Sequence, residues 1–197
     1  MTGVINAGGR STRMGTDKAL LRLGGKTLIE WTVETLGTIF PAIIIVSNDR
    51  EAVQDIGIPV FADLIPNAGP LGGIYTGLSV AADTSAFFVA CDMPFLSRAF
   101  ITYLRDYPGD YDALVPRTRD GFHPLHAVYT KACLPKIQTL LNAGSFKVDR
   151  LFNDVSVCYV DEAIIRGFDP DLLCLLNVNY PEEFAEAERL WASRRKS

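Results

Sequence analysis

Short apolar runs rich in β-branched residues alternate along the chain with longer amphipathic stretches. Two of these runs, residues 43–46 and 87–89, are apolar at every position, which is typical of strands covered by helices on both faces. The alternation predicts βαβ units arranged around a largely parallel sheet. The predicted strands cover residues 4–6, 42–47, 60–62, 86–91, 111–116, 125–129, 156–160 and 172–178.

Helix signals stand between several of these strands. Thr27 and Glu30 have the spacing of a capping box, and apolar residues at helical spacing follow as far as Leu36. Four further helices are predicted: over residues 74–82, over 98–105 with Ser97 as N-cap, over 131–142 with Thr130 as N-cap, and from Pro181 onwards. Strands and helices in this order predict a single α/β domain over residues 1–197, with helices on both faces of the sheet.

The composition supports a globular domain and excludes several classes of protein. The 197 residues are 48% hydrophobic and 21% charged with a formal net charge of -4, so no overall basic surface attracts nucleic acid. No apolar run approaches the roughly 20 residues that a membrane span needs. The four cysteines, Cys91, Cys133, Cys158 and Cys174, form no CxxC pair and are predicted to be buried reduced thiols. We therefore expect a cytoplasmic protein with no nucleic-acid or membrane partner.

The first predicted strand leads into a glycine-rich segment that carries hydroxyls and cations. Gly8 and Gly9 allow backbone N–H groups to approach a polyphosphate, and three cations, Arg10, Arg13 and Lys18, can neutralise its charge. The spacing matches neither a Walker A loop nor the dinucleotide fingerprint. The segment predicts a site for a nucleotide phosphate chain, and the alternative is a plain connection with surface cations.

An aspartate follows the predicted central strand 86–91. Asp92 should therefore emerge at the carboxyl edge of the sheet, where open α/β sheets bind their ligands. Mg²⁺ usually takes one or two carboxylates together with substrate phosphates and water, so Asp92 is the predicted metal ligand. Asn177, near the end of the last predicted strand, is a candidate second ligand, directly or through water. The alternative for Asp92 is a turn or helix-cap residue before Pro94.

The segment from Asp63 to Gly73 holds a proline flanked by glycines. A fixed turn containing Gly69 lets a base or ribose approach the backbone, and Asp63 offers an acceptor to donors on either group. Ordinary turn chemistry is the alternative explanation for these residues.

The two histidines do not suggest a metal site. Pro124 lies between His123 and His126 and favours extended chain, in which residues three apart point to opposite faces.

The ordered motifs resemble those of the molybdenum cofactor guanylyltransferases, the MobA family, nearly end to end. They are Gly8-Gly9-Arg10-Ser11-x-Arg13-Met14-Gly15-x-Asp17-Lys18, Gly69-Pro70-Leu71-x-Gly73, Cys91-Asp92-Met93-Pro94 and Asn177-Val178-Asn179-x-Pro181. The resemblance implies a three-layer α/β/α, Rossmann-like nucleotidyltransferase fold, glycosyltransferase-A-like, with a mostly parallel sheet. It also implies transfer of GMP from GTP to the phosphate of molybdopterin or Mo-molybdopterin, with Mg²⁺ as cofactor and pyrophosphate as leaving group.

The resemblance also implies roles for particular residues. Ala7, Gly8, Lys18 and Asp63 would contact GTP, and Asp92 would bind both nucleotide and Mg²⁺. Ala7-Gly8-Gly9 matches the guanylyl-transferring relatives rather than the cytidylyl-transferring ones, which carry Ala-Ala-Gly, whereas Asn6 replaces a usually apolar residue. The full nucleotide-binding prediction is Asn6, Ala7, Gly8, Gly9, Arg10, Gly15, Lys18, Asn48, Asp63, Gly69 and Asp92.

The implied acceptor needs no general base, because a phosphate monoester with a second pKa of about 6 is mostly a dianion at neutral pH. Catalysis should rest on charge neutralisation and positioning by Arg13, Lys18 and Asp92. Candidates to hold the acceptor phosphate are Arg117, Arg119, Lys147 and Arg150.

The resemblance further implies transient contact with molybdenum-cofactor enzymes or insertion factors. Two other functions fit the same residues. One is a related nucleotidyltransferase that uses CTP or a sugar-phosphate acceptor, and the other is a catalytically silent nucleotide-binding regulatory domain.

Overall fold

The computed structural model describes residues 1–8 and 18–194, with Lys18 described by its backbone alone. The strands are β1 (Thr2–Asn6), β2 (Arg22–Leu23), β3 (Lys26–Thr27), β4 (Ile43–Val46), β5 (Val60–Phe61), β6 (Ser85–Ala90), β7 (Ala113–Thr118), β8 (Gly121–Phe122), β9 (His126–Thr130) and β10 (Val157–Asp161). The α-helices are α1 (Leu28–Gly37), α2 (Gly69–Val80), α3 (Arg98–Arg105), α4 (Leu134–Asn142), α5 (Glu162–Phe168) and α6 (Pro181–Arg194). Short 3-10 helices cover Lys18–Leu20, Glu51–Ile56, Lys131–Cys133, Val148–Asn153 and Leu173–Leu175.

The main sheet has the strand order β10-β7-β9-β6-β1-β4-β5, with β8 paired to β7. The pairs β6–β1, β1–β4, β4–β5 and β10–β7 are parallel. Strand β9 runs antiparallel to both of its neighbours, β6 and β7. The predicted mostly parallel sheet is therefore confirmed, with one reversed strand inside it.

Two apolar layers cover the two faces of the sheet. On one face, Ile29, Phe100 and Ile165 of α1, α3 and α5 pack with the inward side chains of β1 and β6. On the other face, Leu71 and Ile137 of α2 and α4 belong to a second buried cluster. Because both faces are covered, β1 is buried along its whole length. This arrangement confirms the three-layer α/β/α prediction.

Several predicted helix ends are confirmed by hydrogen bonds. The Glu30 N–H donates to the Thr27 hydroxyl, and the Glu30 carboxylate accepts from the Thr27 N–H, which completes the capping box. The Ser97 hydroxyl accepts from the Phe100 N–H at the start of α3. Helix α6 begins at Pro181, as predicted.

Two other helix starts differ from the prediction. Thr130 does not cap α4, because it ends β9 and a 3-10 turn separates it from Leu134. Helix α2 begins at Gly69 rather than at residue 74, and Gly72 and Gly73 are buried within it. Glycines discourage a helix in an isolated chain. Here Gly73 lets α2 approach Asn6 at the end of β1, and Gly72 lies against Ala68 and the Ile65 carbonyl.

The predicted strand over residues 172–178 is wrong. Leu172 adopts a left-handed backbone with φ of 57°, and a 3-10 helix follows at Leu173–Leu175. The Asp169 carboxylate accepts a hydrogen bond from the Cys174 N–H, which winds the chain into a tight turn. Burial of Cys174 and Val178 accounts for the apolar pattern that suggested a strand.

Helix α6 packs away from the main sheet, against the β2–β3 hairpin. Trp191 lies 4.7 Å from Trp31, measured between ring centroids, and joins a small apolar cluster with Phe95 and Val178. Gly24 in the hairpin turn sits against this indole, and a Cβ there would lie 2.2 Å from Trp191 Nε1. Because Val178 belongs to this cluster, the cluster holds the segment before α6 against the helix.

Three of the four thiols are buried as predicted, namely Cys91, Cys133 and Cys174, whereas Cys158 is only half-buried. In the described part of the chain, no helix is both long enough and apolar enough to cross a bilayer.

Candidate active site

The centre of the sheet contains a topological switch point. Strands β1 and β6 are parallel neighbours, and Asn6 at the end of β1 pairs in register with Ala90 at the end of β6. In the strand order, the chain continues from β1 to β4 on one side of this pair and from β6 to β7 on the other side. Connections that diverge from adjacent carboxyl ends leave a crevice between them, and ligands of open α/β sheets bind in such crevices.

A cleft of about 520 Å³ opens at this edge, which is in the size range of small-molecule sites. The residues that end or follow β1 and β6, together with Pro70 of α2, are called the first wall: Asn6, Ala7, Gly8, Pro70, Ala90, Cys91, Asp92 and Met93. The lining residues of two later segments are called the second wall: Phe122, His123, Pro124, Leu125, Phe146, Lys147, Val148 and Asp149. Asn177 and Asn179 complete the lining. The start of the glycine-rich segment and Asp92 thus lie in one cleft.

A backbone hydrogen bond brings the segment before α6 to Asp92. The Val178 N–H donates to the Asp92 carbonyl oxygen at 2.9 Å. Asn177 and Asn179 flank Val178, and both line the cleft. An aspartate and a carboxamide, separated by 85 positions in the sequence, are therefore joined at one edge.

The donor set at this edge fits Mg²⁺. Carboxylate and amide oxygens are hard ligands, as Mg²⁺ requires. No group of three or more His, Cys, Asp or Glu residues in the described ranges, 1–8 and 18–194, has the arrangement of a metal site. A site with few protein ligands suits Mg²⁺, which keeps several waters and binds substrate phosphates.

Asn6 is held between two glycines. It is only 6% exposed, and a Cβ on Gly73 of α2 would lie 2.3 Å from Asn6 Nδ2. A Cβ on Gly8 would lie 3.6 Å from Asn6 Oδ1. The missing side chain at Gly73 therefore gives Asn6 its position in the cleft wall.

We expect Gly73→Ala to disturb this wall. The added methyl group overlaps Asn6, and overpacking of this kind costs about 1 to 3 kcal/mol. The free energy of unfolding should fall by that amount, and nucleotide affinity should fall with it as Asn6 is displaced. Urea unfolding and calorimetric titration with GTP measure the two effects. Gly167→Ala is the matched control, because its Cβ would meet no described atom within 4 Å, and equal behaviour of the two variants would contradict the expectation.

Asn48 and Asp63 form a mutual pair beside Gly8. Asn48 Nδ2 donates to Asp63 Oδ2 at 2.8 Å, and the Asp63 N–H donates to Asn48 Oδ1 at 2.9 Å. Burial raises the pKa of the Asp63 carboxyl group, and the hydrogen bond from Asn48 opposes that shift. Asp63 Oδ1 is buried without a hydrogen-bond partner among the residues that the structure describes. The pair thus keeps one acceptor oxygen available next to the loop after β1.

The structure describes only some of the other residues that are predicted to bind the nucleotide. Gly69 begins α2 with φ of 59°, and its neighbour Pro70, rather than Gly69 itself, lines the cleft. Gly9, Arg10, Arg13 and Gly15 lie outside the described residues, and so does the side chain of Lys18.

Of the four basic residues predicted for the acceptor phosphate, Lys147 lines the cleft. Arg117 instead pairs with Asp161 at 2.6 Å, and the Arg119 N–H donates to Glu162. Arg150 lies in the 3-10 helix Val148–Asn153, and neither it nor Arg119 lines the cleft.

The second wall contains residues for which the sequence analysis proposed no role, notably Phe122, Phe146 and Asp149. His123 is part of this wall; its Nε2 lies 2.9 Å from the Thr118 hydroxyl, and burial lowers the pKa of the imidazole. One sequence signal could have indicated these aromatic residues. Phe122 and Phe146 each follow closely after a glycine, Gly121 and Gly144, and a glycine of this kind favours a turn that leaves the next large side chain exposed.

Comparisons with known proteins agree with this architecture. A family model described as a MobA-like NTP transferase domain matches residues 3–156. The chain is 39% identical to the probable molybdenum cofactor guanylyltransferase of Pelotomaculum thermopropionicum, over 94% of this chain and 91% of that protein. It is 36% identical to the molybdenum cofactor guanylyltransferase of Syntrophotalea carbinolica, over 94% and 90% respectively.

A solved structure is similar over the whole chain. The molybdopterin-guanine dinucleotide biosynthesis protein A of Archaeoglobus fulgidus superposes with a TM-score of 0.84 at 26% identity, covering 98% of this chain and 100% of that chain. The fold, the cleft and these similarities define a nucleotidyltransferase of molybdenum cofactor biosynthesis. More particularly, the chain belongs to the family of MobA-like NTP transferase domains.

Proposed function

We propose that the protein transfers GMP from GTP to the phosphate of molybdopterin or Mo-molybdopterin and releases pyrophosphate. The observation that carries the proposal is that Ala7, Gly8 and Asp92 line one cleft at the switch point of the sheet. The similarity to a probable molybdenum cofactor guanylyltransferase and to a second protein named molybdenum cofactor guanylyltransferase supports the choice of substrates. The proposed enzyme is one domain over residues 1–197.

In this proposal, the first wall of the cleft binds the nucleotide. Backbone N–H groups of Gly8 and Gly9 approach the phosphates, because glycine presents no side chain to obstruct them. Arg10, Arg13 and Lys18 neutralise phosphate charge, and Arg13 and Lys18 stabilise the departing pyrophosphate. Asn6, Gly15, Asn48 and Asp63 complete the proposed nucleotide contacts, and Pro70 takes the place in the cleft that was predicted for Gly69.

Asp92 and Asn177 would hold Mg²⁺. The ion supplies positive charge and Lewis acidity to the phosphate oxygens when it is bound. The hydrogen bond between the Val178 N–H and the Asp92 carbonyl holds the backbones of the two segments together. Segments that are already in contact need less ordering when a ligand binds to both of them.

The acceptor phosphate would approach from the side of Lys147. A phosphate monoester is already mostly a dianion at neutral pH, so no residue has to remove a proton from it. The lysine ammonium attracts the acceptor and offsets its repulsion from the triphosphate. The reaction thus depends on bringing two anions together, which is a task of charge and position.

A panel of GTP, CTP, ATP and UTP with molybdopterin and Mg²⁺ tests the proposal. Pyrophosphate release and formation of the dinucleotide are expected with GTP. Equal or faster transfer with CTP would identify a cytidylyltransferase instead. Tight GTP binding with no pyrophosphate release in any combination would favour a nucleotide-binding regulatory domain. Molybdenum-cofactor enzymes or insertion factors are the proposed transient partners that receive the product.

A further inference from the structure

The second wall of the cleft exposes two phenylalanines. Phe122 of β8 is 38% exposed and Phe146, in the loop after α4, is 43% exposed. Both line the cleft that the ends of β1 and β6 also line. Large aromatic side chains left accessible in a concave site are typical of contacts with a ligand ring.

The ring of Phe122 is held in place by other rings. Tyr159 stacks on it with centroids 5.2 Å apart and an interplanar angle of 21°, and Phe152 meets it edge-on at 5.4 Å. The Arg117 guanidinium lies 4.9 Å from the centroid of Tyr159, and Asp161 holds that guanidinium. A rigid stack of Arg117, Tyr159 and Phe122 therefore ends at the cleft, so little ordering is needed when a planar ligand adds to it.

Two charged residues lie beside these rings. Lys147 and Asp149 line the same wall, and neither forms an ion pair with another described residue. A carboxylate only accepts hydrogen bonds, so Asp149 suits a ligand edge with adjacent N–H donors. The aminopyrimidinone edge of a pterin has such a pair of donors, on its 2-amino group and N3.

The positions of the two walls indicate how an acceptor would lie. Transfer requires the acceptor phosphate to approach the nucleotide, which the proposed function places at Gly8 and Asp92. The second wall, which includes the two phenylalanines and Asp149, is the remaining part of the cleft lining and is available to the rest of the acceptor.

We propose that this second wall binds the pterin ring of the acceptor. Phe122 and Phe146 contact the ring, and Asp149 accepts hydrogen bonds from its aminopyrimidinone edge. This inference rests on the proposed function, because it takes the acceptor of that reaction as its ligand. Phe122, Phe146 and Asp149 would then determine acceptor specificity and leave the nucleotide contacts unchanged.

Binding of 6-hydroxymethylpterin tests the inference without the chemical step. The pterin is titrated into the protein with GTP and Mg²⁺ present, and its own fluorescence reports binding. Phe122→Ala and Phe146→Ala should each weaken pterin binding about tenfold, as expected for the loss of base–aromatic stacking. Phe146→Tyr, which keeps the ring, should restore it. GTP affinity should change by less than about twofold in every variant, since stacking acts on the acceptor alone.

Two controls sharpen the result. Ile164→Ala removes an apolar side chain of similar exposure, 42%, from α5 outside the cleft, and it should bind pterin like the wild type. Lumazine, which carries an oxo group in place of the 2-amino group, tests Asp149. The wild type should prefer the pterin to lumazine, and Asp149→Asn should lose that preference.

The outcomes separate this subsite from the proposed function. Absence of pterin binding by the wild type, unchanged binding by Phe146→Ala, or equal loss of GTP and pterin affinity would overturn the subsite. Phe146 makes no ring contact with another described residue, so Phe146→Ala should disturb the fold less than Phe122→Ala. If Phe122→Ala does not fold, pterin binding by Phe146→Ala tests the subsite. Failure of the wild type to transfer GMP would instead overturn the proposed function, and the pterin titration would still decide the subsite.

Discussion

Asp92→Asn should lower the rate of GMP transfer by about a hundredfold to a thousandfold, the usual consequence of losing one preorganised electrostatic contact in an active site. Asparagine keeps the shape of Asp92 but removes the negative charge that a Mg²⁺ ligand supplies. The nucleotide contacts proposed for the loop after β1 remain, so GTP binding should weaken much less than turnover. An interaction that matters mainly in the transition state lowers kcat more than it raises KM.

The measurement is pyrophosphate release at saturating GTP and molybdopterin over a range of Mg²⁺ concentrations. Asp55→Asn is the matched control, because Asp55 is an exposed carboxylate on the 3-10 helix Glu51–Ile56 and lies outside the cleft. The control should behave like the wild type. An Asp92→Asn protein with a near-normal rate would remove Asp92 from the proposed chemistry.

The second large effect concerns His126 and the stability of the fold in acid. His126 is fully buried, with its ring stacked on Phe100 at 5.4 Å and edge-on to Phe87 at 5.3 Å. Neither ring nitrogen has a hydrogen-bond partner among the described residues. Burial, together with the nearby His123, lowers the pKa of His126 from 6.5 to about 3. The folded protein therefore keeps this imidazole neutral.

The direction of the pH dependence follows from this lowered pKa. Above pH 6.5 both states are neutral at His126, and its full contribution to stability is present. As the pH falls from 6.5 towards 3, the unfolded chain binds a proton that the folded chain does not. At pH 5 this difference amounts to about 2 kcal/mol of lost unfolding free energy, since one pH unit corresponds to about 1.4 kcal/mol.

Urea unfolding at pH 7.5 and pH 5 of the wild type and of His126→Phe measures this loss. Phenylalanine keeps an aromatic ring between Phe87 and Phe100 and cannot titrate. The variant should lose about 2 kcal/mol less stability between the two pH values than the wild type does. The comparison cancels the contributions of the carboxylates, which are common to both proteins. Identical losses in the two proteins would show that His126 is not the source.

The sequence predicts that Asn6, Ala7, Gly8 and Asp92 lie at one edge of the sheet, because these residues end or directly follow strands, and all four line the cleft. Asn6 and Asp92 lie at or just after the ends of buried apolar runs, and parallel strands bring such ends to one edge. The second wall could not be predicted from the sequence in this way. Phe122 and Phe146 come from separate turns, and the pairing of β7, β8 and β9 and the fold of the loop after α4 bring them together.

The segment before α6 shows why a burial pattern alone misleads. Residues 172–178 are apolar enough to suggest a strand, yet Leu172 is left-handed and the next residues form a 3-10 helix. Burial is a property of the tertiary fold and does not fix the local conformation. Asn177 still reaches the cleft, because the Val178 N–H bonds to the Asp92 carbonyl instead of joining a sheet ladder.

Because β9 runs antiparallel to its neighbours, the residues before it, rather than those after it, reach the edge of the sheet that carries the cleft. In a fully parallel sheet, every segment at the carboxyl edge follows a strand, whereas here His123 and Leu125 reach that edge because they precede an antiparallel one. The first wall, proposed to bind the nucleotide, and the second wall, proposed to bind the acceptor, thus come from separate segments of the chain. In the proposed enzyme, substitutions in residues 119–125 and 143–149 would therefore change the choice of acceptor without changing the residues that bind the nucleotide.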